Sequence, residues 1–208
     1  IYADFEGDGK ADGIIFADLA VGNRGDGNWG GAIGDYTIPQ ETGLKEYYVV
    51  NENYKEPMFG NLEGQLIAPI DRNSSKKDRF YVMALEDIDS ERHTWWETAY
   101  EHLDSEYNVS STTNDFAVAG AEPVGLVNTR RMIECYEKEE INGTEVKQGS
   151  NDMWGLIEEE VAEGWFVPSK SEWAAFGGEV LETNNITSSD FNDFSLSFGC
   201  WSSSQFNT

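Results

Sequence analysis

Two S/T-x-x-E capping boxes mark where helices begin in the second half of this chain. They are Thr94-Trp95-Trp96-Glu97 and Ser169-Lys170-Ser171-Glu172, in which a hydroxyl side chain and a glutamate can each satisfy a free N–H group at a helix start. The second box predicts a helix that buries Trp173 and Phe176 and ends at Gly177-Gly178. Apolar residues follow the first box at helical spacing: Trp96, Ala99, Tyr100, Leu103 and Tyr107.

Two further helices are predicted between these boxes. One begins near Thr129 and carries Met132, Ile133 and Tyr136 on one face. The other runs from Asn151 or Asp152 to Ala162, and Gly164 is its expected C-terminal stop. Its apolar residues in register are Met153, Ile157 and Val161.

The first half of the chain instead carries strand signals. Short apolar runs at 13–20, 47–50 and 79–85 predict strands, whereas the six glycines of 22–34 predict a loop. Strands followed by helices favour an α+β fold, with helices packed on a small, mostly antiparallel sheet.

The charge of the chain restricts its partners. It has 39 acidic and 14 basic residues and a net charge of −25, which disfavours nucleic acid and anionic membranes and suits cations. No apolar stretch approaches the roughly 18 residues of a membrane span, so no membrane insertion is expected. The chain starts at Ile1 without a leader-like segment, which we interpret as a mature product or an excerpt of a longer protein.

An acidic, glycine-containing segment near the N-terminus resembles the start of a calcium loop. Asp4, Glu6, Asp8 and Asp12 occupy alternating positions around Gly9, and Lys10 would contribute its backbone carbonyl. Ile15 stands where an EF-hand needs glutamate, and a strand follows instead of a helix, so an EF-hand is excluded. The segment is therefore either a shorter Ca²⁺ loop or an acidic turn without metal.

Signals for catalysis are weak. The two histidines, His93 and His102, lie beside a predicted helix start and among acidic neighbours, as capping or surface residues do. The sequence contains no nucleophile elbow, phosphate loop or zinc-protease motif, and we expect no enzymatic activity. Cys135 and Cys200 form either one disulfide or two reduced thiols.

The segment from Gly164 to Trp173 reads GWFVPSKSEW. It resembles the G-W-x-x-P-S/T-x-x-E-W/L signature of C-type-lectin-like and formylglycine-generating-enzyme-like domains. The run from Cys200 to Gln205 resembles their Y-W-S-S-S strand, and 81–85 with 94–99 resembles their strand and first helix. The likeness covers about 79–205. It implies a core at 79–208 and a Gly/Asp-rich N-terminal elaboration of the same domain at 1–78.

The resemblance implies a ligand-binding module displayed on a bacterial surface or phage particle, hence extracellular, cell-surface or virion-borne. Targets of diversity-generating retroelements are similar to this fold, and their ligand, carbohydrate or protein, is bound after the W-S-S-S strand. The corresponding residues are Trp201, Ser203, Gln205, Phe206 and Asn207.

Two departures from the family pattern qualify this expectation. The chain stops at Thr208, before the strands that complete such a sheet, so we expect either lost residues or an oligomer through the C-terminal edge. Nothing around Cys135 or Cys200 matches the Cys- and Arg-rich segment of the oxidases. The alternatives are a structural surface or filament subunit and, with less support, a formylglycine-generating-type oxidase.

Overall fold

The computed structural model describes residues 1–29, 32–56, 62–85, 88, 91, 93–96, 117–118, 122–141 and 143–184. Contacts divide the chain into two compact units, one of residues 1–87 and 174–198, the other of residues 88–173 and 199–208. These boundaries differ from the predicted one, which separated residues 1–78 from residues 79–208. Small sheets and few helices make the structure mixed α and β, compatible with the α+β class. In the described part of the chain, no helix is long and apolar enough to cross a membrane.

A five-stranded sheet forms the frame of the first unit. Its strands are β1 Tyr2–Ala3, β2 Gly13–Asp18, β5 Tyr47–Lys55, β6 Glu63–Pro69 and β7 Phe80–Ala84. They lie in the order β5-β6-β1-β2-β7, and only the β1–β6 pair is parallel, so the sheet is mostly antiparallel. The predicted strands at 13–20, 47–50 and 79–85 are confirmed within β2, β5 and β7.

The segments that precede the two outer strands, β5 and β7, pair with each other. Leu44 bridges Lys77 in parallel, and the Lys45 N–H donates to the Lys77 carbonyl at 2.8 Å. The core of this unit centres on Phe16, whose ring contacts those of Tyr81 and Phe176 edge-on at 5.9 and 5.8 Å.

The glycine-rich stretch predicted to be a loop is instead a β-hairpin. β3 (Asn23–Trp29) pairs with β4 (Ala32–Ile38) without a register shift. A Cβ on Gly25 would overlap the Tyr36 ring, and one on Gly27 would overlap the Ala174 carbonyl. The loop prediction was wrong because these glycines permit close packing rather than turns.

The second unit is built around α1 (Val124–Tyr136), which starts five residues before the predicted Thr129. The predicted helix 151–162 is broken into a 3₁₀ turn, Met153–Gly155, and a short α2, Glu158–Ala162. Gly164 ends α2 with a φ of +101°, as expected of a helix stop. Short two-residue strands complete the described part: β8 Ala117–Val118, β9 Glu122–Pro123, β10 Glu140–Ile141 and β11 Thr144–Glu145.

The core of the second unit is aromatic. Trp96 contacts the Tyr136 ring at 5.4 Å and Trp95 contacts Trp154 at 5.6 Å. Thr94, the first residue of the first capping box, donates its hydroxyl to Asp152 Oδ1 at 2.8 Å. The helix predicted to start here is not seen in residues 94–96, because Thr94 forms a β-bridge with Asp152 instead. The rest of that prediction, through Tyr107, lies outside the described residues.

The second capping box is confirmed at the start of α3 (Lys170–Phe176). The Ser169 N–H donates to Glu172 Oε2 at 2.6 Å, and the Glu172 N–H donates to Ser169 Oγ at 3.3 Å. The glycine pair does not end the helix, contrary to prediction, because the chain continues as a π-helical segment, Gly177–Glu182. Glu179 in that segment accepts a hydrogen bond from the Tyr36 hydroxyl at 2.6 Å, so packing against β4 stabilises the wider turn.

Candidate functional site

The acidic loop of residues 4–12 is closed by its own carboxylates. Asp4 is buried, and its side chain accepts hydrogen bonds from the backbone N–H groups of Gly7 and Gly9. Asp12 Oδ2 accepts from the N–H groups of Phe5 and Glu6. These bonds explain the acidic turn without any added ligand.

The other predicted calcium ligands are Glu6, Asp8 and Lys10, and all three are exposed. Glu6 is exposed, and Lys10 Nζ pairs with Asp8 Oδ2 at 3.4 Å. Burial, together with the charges of Asp4 and Asp8, raises the pKa of Asp12. The carboxylates therefore lie near enough to repel each other. Within the described residues, however, no three His, Cys, Asp or Glu side chains are arranged to hold a metal ion.

A guanidinium group covers this loop. Arg72 lies against Gly7 so closely that a Cβ on Gly7 would overlap its Nη2 atom. This contact places a positive charge beside the backbone of the loop at Gly7.

An acidic groove lies at the end of α1, in the second unit. Its volume is about 650 Å³, it is open to solvent, and its lining residues are mostly exposed. The groove is lined by Glu137, Lys138, Glu139, Glu140, Glu145, Val146 and Gln148.

The groove combines carboxylates with a helix end. The Gln148 side chain donates to the Tyr136 carbonyl at 2.6 Å, and the Val146 N–H donates to the Glu139 carbonyl at 2.9 Å. No basic residue lies in the last turn of α1, so its partial negative charge adds to that of the glutamates. Sequence analysis missed this groove, although the run Glu137-Lys138-Glu139-Glu140 was its visible signal.

Glu172 has a structural role beyond the capping box that the sequence predicted for it. Glu172 is fully buried, and its Oε1 accepts from the N–H of Gly125, the second residue of α1, at 3.2 Å. Helix α1 has no side-chain cap of its own. Glu172 therefore caps α1 and α3 together. Burial raises its pKa to about 7, against the opposing effect of the N–H groups of Ser169 and Gly125.

No protein-family model, no curated protein and no solved structure matches this chain. Its sites are therefore assigned from their own chemistry.

The predicted ligand-binding residues Trp201, Ser203, Gln205, Phe206 and Asn207 lie outside the described residues, as does Cys200. Cys135 is a free, fully buried thiol in the core of the second unit. Burial raises its pKa, which disfavours the reactive thiolate.

Proposed function

We propose that this chain is a displayed, extracellular ligand-binding module, on a bacterial surface or a phage particle, that its core at 79–208 is C-type-lectin-like, and that it is not an enzyme. The scaffold part of this proposal is supported by the family-like segment 164–173. Its glycine stops α2, and its serine and glutamate cap α3 reciprocally. These contacts give the motif a structural reason that needs no catalysis.

The observation that carries the binding proposal is the acidic groove at the end of α1. Four glutamates and a helix carboxyl end, opposed by the single charge of Lys138, create a net negative potential that favours a positively charged ligand. We propose a protein partner with a basic surface. A carbohydrate would engage the same carboxylates through its hydroxyl groups, and that binding mode would depend far less on salt.

We expect a lysine-rich peptide of about ten residues to bind the groove, because exposed carboxylates attract cations most at low ionic strength. The triple variant Glu137→Gln, Glu140→Gln, Glu145→Gln should weaken binding at least ~10-fold in calorimetry at 50 mM salt. The matched control is Glu158→Gln, Glu159→Gln, Glu163→Gln, which removes the same charge around α2. Equal weakening in both variants would mean that net charge, not the groove, binds the peptide.

We further propose that the carboxylates of loop 4–12 bind Ca²⁺. On binding, Asp4 and Asp12 would give up their hydrogen bonds with backbone N–H groups and coordinate the ion instead. If its affinity is that of extracellular modules, 5 mM Ca²⁺ should stabilise the first unit by about 1–2 kcal/mol, since the ion binds the folded state alone. Thermal unfolding in Ca²⁺ and in chelator measures this. Asp8→Asn should reduce the shift, while Asp35→Asn, an exposed carboxylate on β4, should retain it. Identical midpoints in Ca²⁺ and chelator would exclude the ion.

A further inference from the structure

Strand β5 leaves a run of apolar residues exposed. The run Tyr47-Tyr48-Val49-Val50 is typical of a strand that is covered on both faces. In the structure, however, Tyr48, Val49 and Val50 are 50%, 43% and 40% exposed. Neighbouring exposed apolar residues are typical of a surface that binds another molecule.

The outer edge of β5 carries backbone groups that point away from the sheet. β5 is the outermost strand, and β6 is its strand neighbour in the described part of the chain. The Ile70 N–H donates to the Glu46 carbonyl, so the backbone groups of Glu46 point toward β6. Because this direction alternates along an antiparallel strand, the N–H and C=O of Val49 point outward. The Lys45 N–H points outward too, since it donates to the Lys77 carbonyl.

This edge is open from Tyr48 onward. The segment around Lys77 pairs with the chain at Leu44 and Lys45, just before β5 begins. Within the described residues, no backbone hydrogen bond outside the β5–β6 pair uses the N–H or C=O of Val49. An extended chain can therefore add to β5 as a further strand, through main-chain hydrogen bonds.

The charges along β5 disfavour a second copy of this chain at that edge. Residues 46–56 contain three glutamates and one lysine. An antiparallel copy paired about Val49 would place Glu46 opposite Glu52 at both ends, and a parallel copy in register would place each glutamate beside its equivalent. Like charges opposite each other destabilise a pair of strands, and the net charge of −25 on each copy adds repulsion. A chain with basic residues on both sides of an apolar run fits this edge better.

Glu46 and Glu52 are both accessible to such a chain. Glu52 is exposed and forms no ion pair with any described residue. Glu46 pairs with Lys76 at 3.4 Å, but both side chains are largely exposed, and exposed ion pairs contribute little to stability. Two other lysines near the start of β5 are already paired, Lys45 with Asp78 at 2.7 Å and Lys77 with Glu41 at 3.3 Å.

We propose that β5 binds an extended segment of a basic partner protein by strand addition. The apolar residues of that segment pack beside Tyr48 and Val49, and a lysine or arginine on each side of them reaches Glu46 or Glu52. The register between β5 and β6 shifts on both sides of Asn51, so regular main-chain pairing is confined to the residues before it. This surface belongs to the first unit, so peptide binding at the groove of the second unit can fail without affecting it.

The probe is a capped peptide of sequence KTVVVTK, which reads the same in both directions and so suits either strand orientation. The protein is the full chain with Glu137→Gln, Glu140→Gln and Glu145→Gln, so that the groove contributes little to binding. In NMR titrations, saturation should slow hydrogen exchange of the Val49 amide at least ~10-fold, whereas the amide of Tyr48, which points toward β6, should change less. The same peptide with N-methyl groups on two adjacent valines keeps its charge and should bind at least ~10-fold more weakly. No binding at peptide concentrations up to about 1 mM would overturn the proposal.

One substitution and its matched control locate the site. Glu52→Lys should weaken peptide binding at least ~10-fold at about 50 mM salt, because it reverses a charge that a lysine of the peptide meets. Asp35→Lys makes the same charge change at an exposed position on β4 and should weaken binding less than about twofold. Equal weakening in both variants, or equal binding of the N-methylated peptide, would show general charge attraction and overturn the proposal. A dimer of the free protein in sedimentation that Val49→Lys abolishes would identify a second copy as the occupant, and would also overturn it.

Discussion

Replacing Glu172 with alanine should lower the free energy of unfolding by about 2–4 kcal/mol. The change leaves the N–H groups of Gly125 and Ser169 buried without their acceptor, and each lost partner costs about 1–3 kcal/mol. Release of the cost of burying a carboxyl offsets part of this loss. Urea unfolding at pH 6, followed by tryptophan fluorescence, measures the difference. Glu158→Ala, at an exposed position of α2, should change the free energy by less than about 0.5 kcal/mol.

The same carboxyl should make stability depend on pH. Its pKa is about 7 in the folded protein and 4.5 ordinarily, so the folded state binds the proton more tightly. The stability that Glu172 contributes is therefore fully present below about pH 4.5 and is lost as the pH rises through about 7, by roughly 3 kcal/mol in total.

The variant Glu172→Gln separates this effect from the general repulsion among acidic side chains. It cannot titrate, so the decrease in its unfolding free energy between pH 5 and 8 should be smaller than in the wild type. The ¹⁵N shifts of the Gly125 and Ser169 amides provide a second measurement, since both donate to this carboxylate. If these amide shifts do not change between pH 5 and 8, Glu172 does not titrate in that range.

Trp154→Ala should be the most destabilising single substitution proposed here, by about 3–5 kcal/mol. Trp154 is 1% exposed, and its ring makes an edge-to-face contact with that of Trp95 in the core of the second unit. Its removal leaves a cavity that neighbouring side chains fill incompletely. The midpoint of urea unfolding should fall accordingly.

The control for Trp154 lies two residues away. Leu156 is 40% exposed, so Leu156→Ala removes a large apolar side chain from the same turn with little loss of buried area. We expect its cost to stay below about 1 kcal/mol. Equal destabilisation by the two changes would mean that Trp154 is not a core residue in solution.

Structural features whose interacting residues lie close together in the sequence were predicted well. The capping box at Ser169–Glu172 and the stop at Gly164 depend on residues within one turn, and both are confirmed. The strand at 13–18 was predictable because its apolar run is buried as such runs usually are. The predicted ligand residues Trp201, Ser203, Gln205, Phe206 and Asn207 remain a prediction.

The candidate sites were only partly predictable, because a side chain's direction depends on competing partners. The sequence indicated that Asp4, Asp8 and Asp12 come together, and their charges do interact. It did not indicate that the carboxylates of Asp4 and Asp12 would accept hydrogen bonds from backbone N–H groups of the same loop. The acidic groove was missed although its residues all lie within 137–148, because an acidic run forms a groove only where the hairpin of β10 and β11 packs against the end of α1.

The sequence by itself determined the acidic composition, the strands at 13–18, 47–50 and 80–84 and the helix start at Ser169, since composition, periodicity and caps act over a few residues. Tertiary structure decided that the glycine-rich segment 23–29 forms a strand. The Tyr36 ring and the Ala174 carbonyl lie so close to Gly25 and Gly27 that no side chain would fit there. It also decided that Gly177 continues a helix as a π-helical turn, which the Tyr36–Glu179 bond holds. Glu172 is a cap for two helices only because folding brings α1 to it across 47 residues of chain. Such contacts depend on which distant surfaces meet, and short-range sequence patterns carry no information about that.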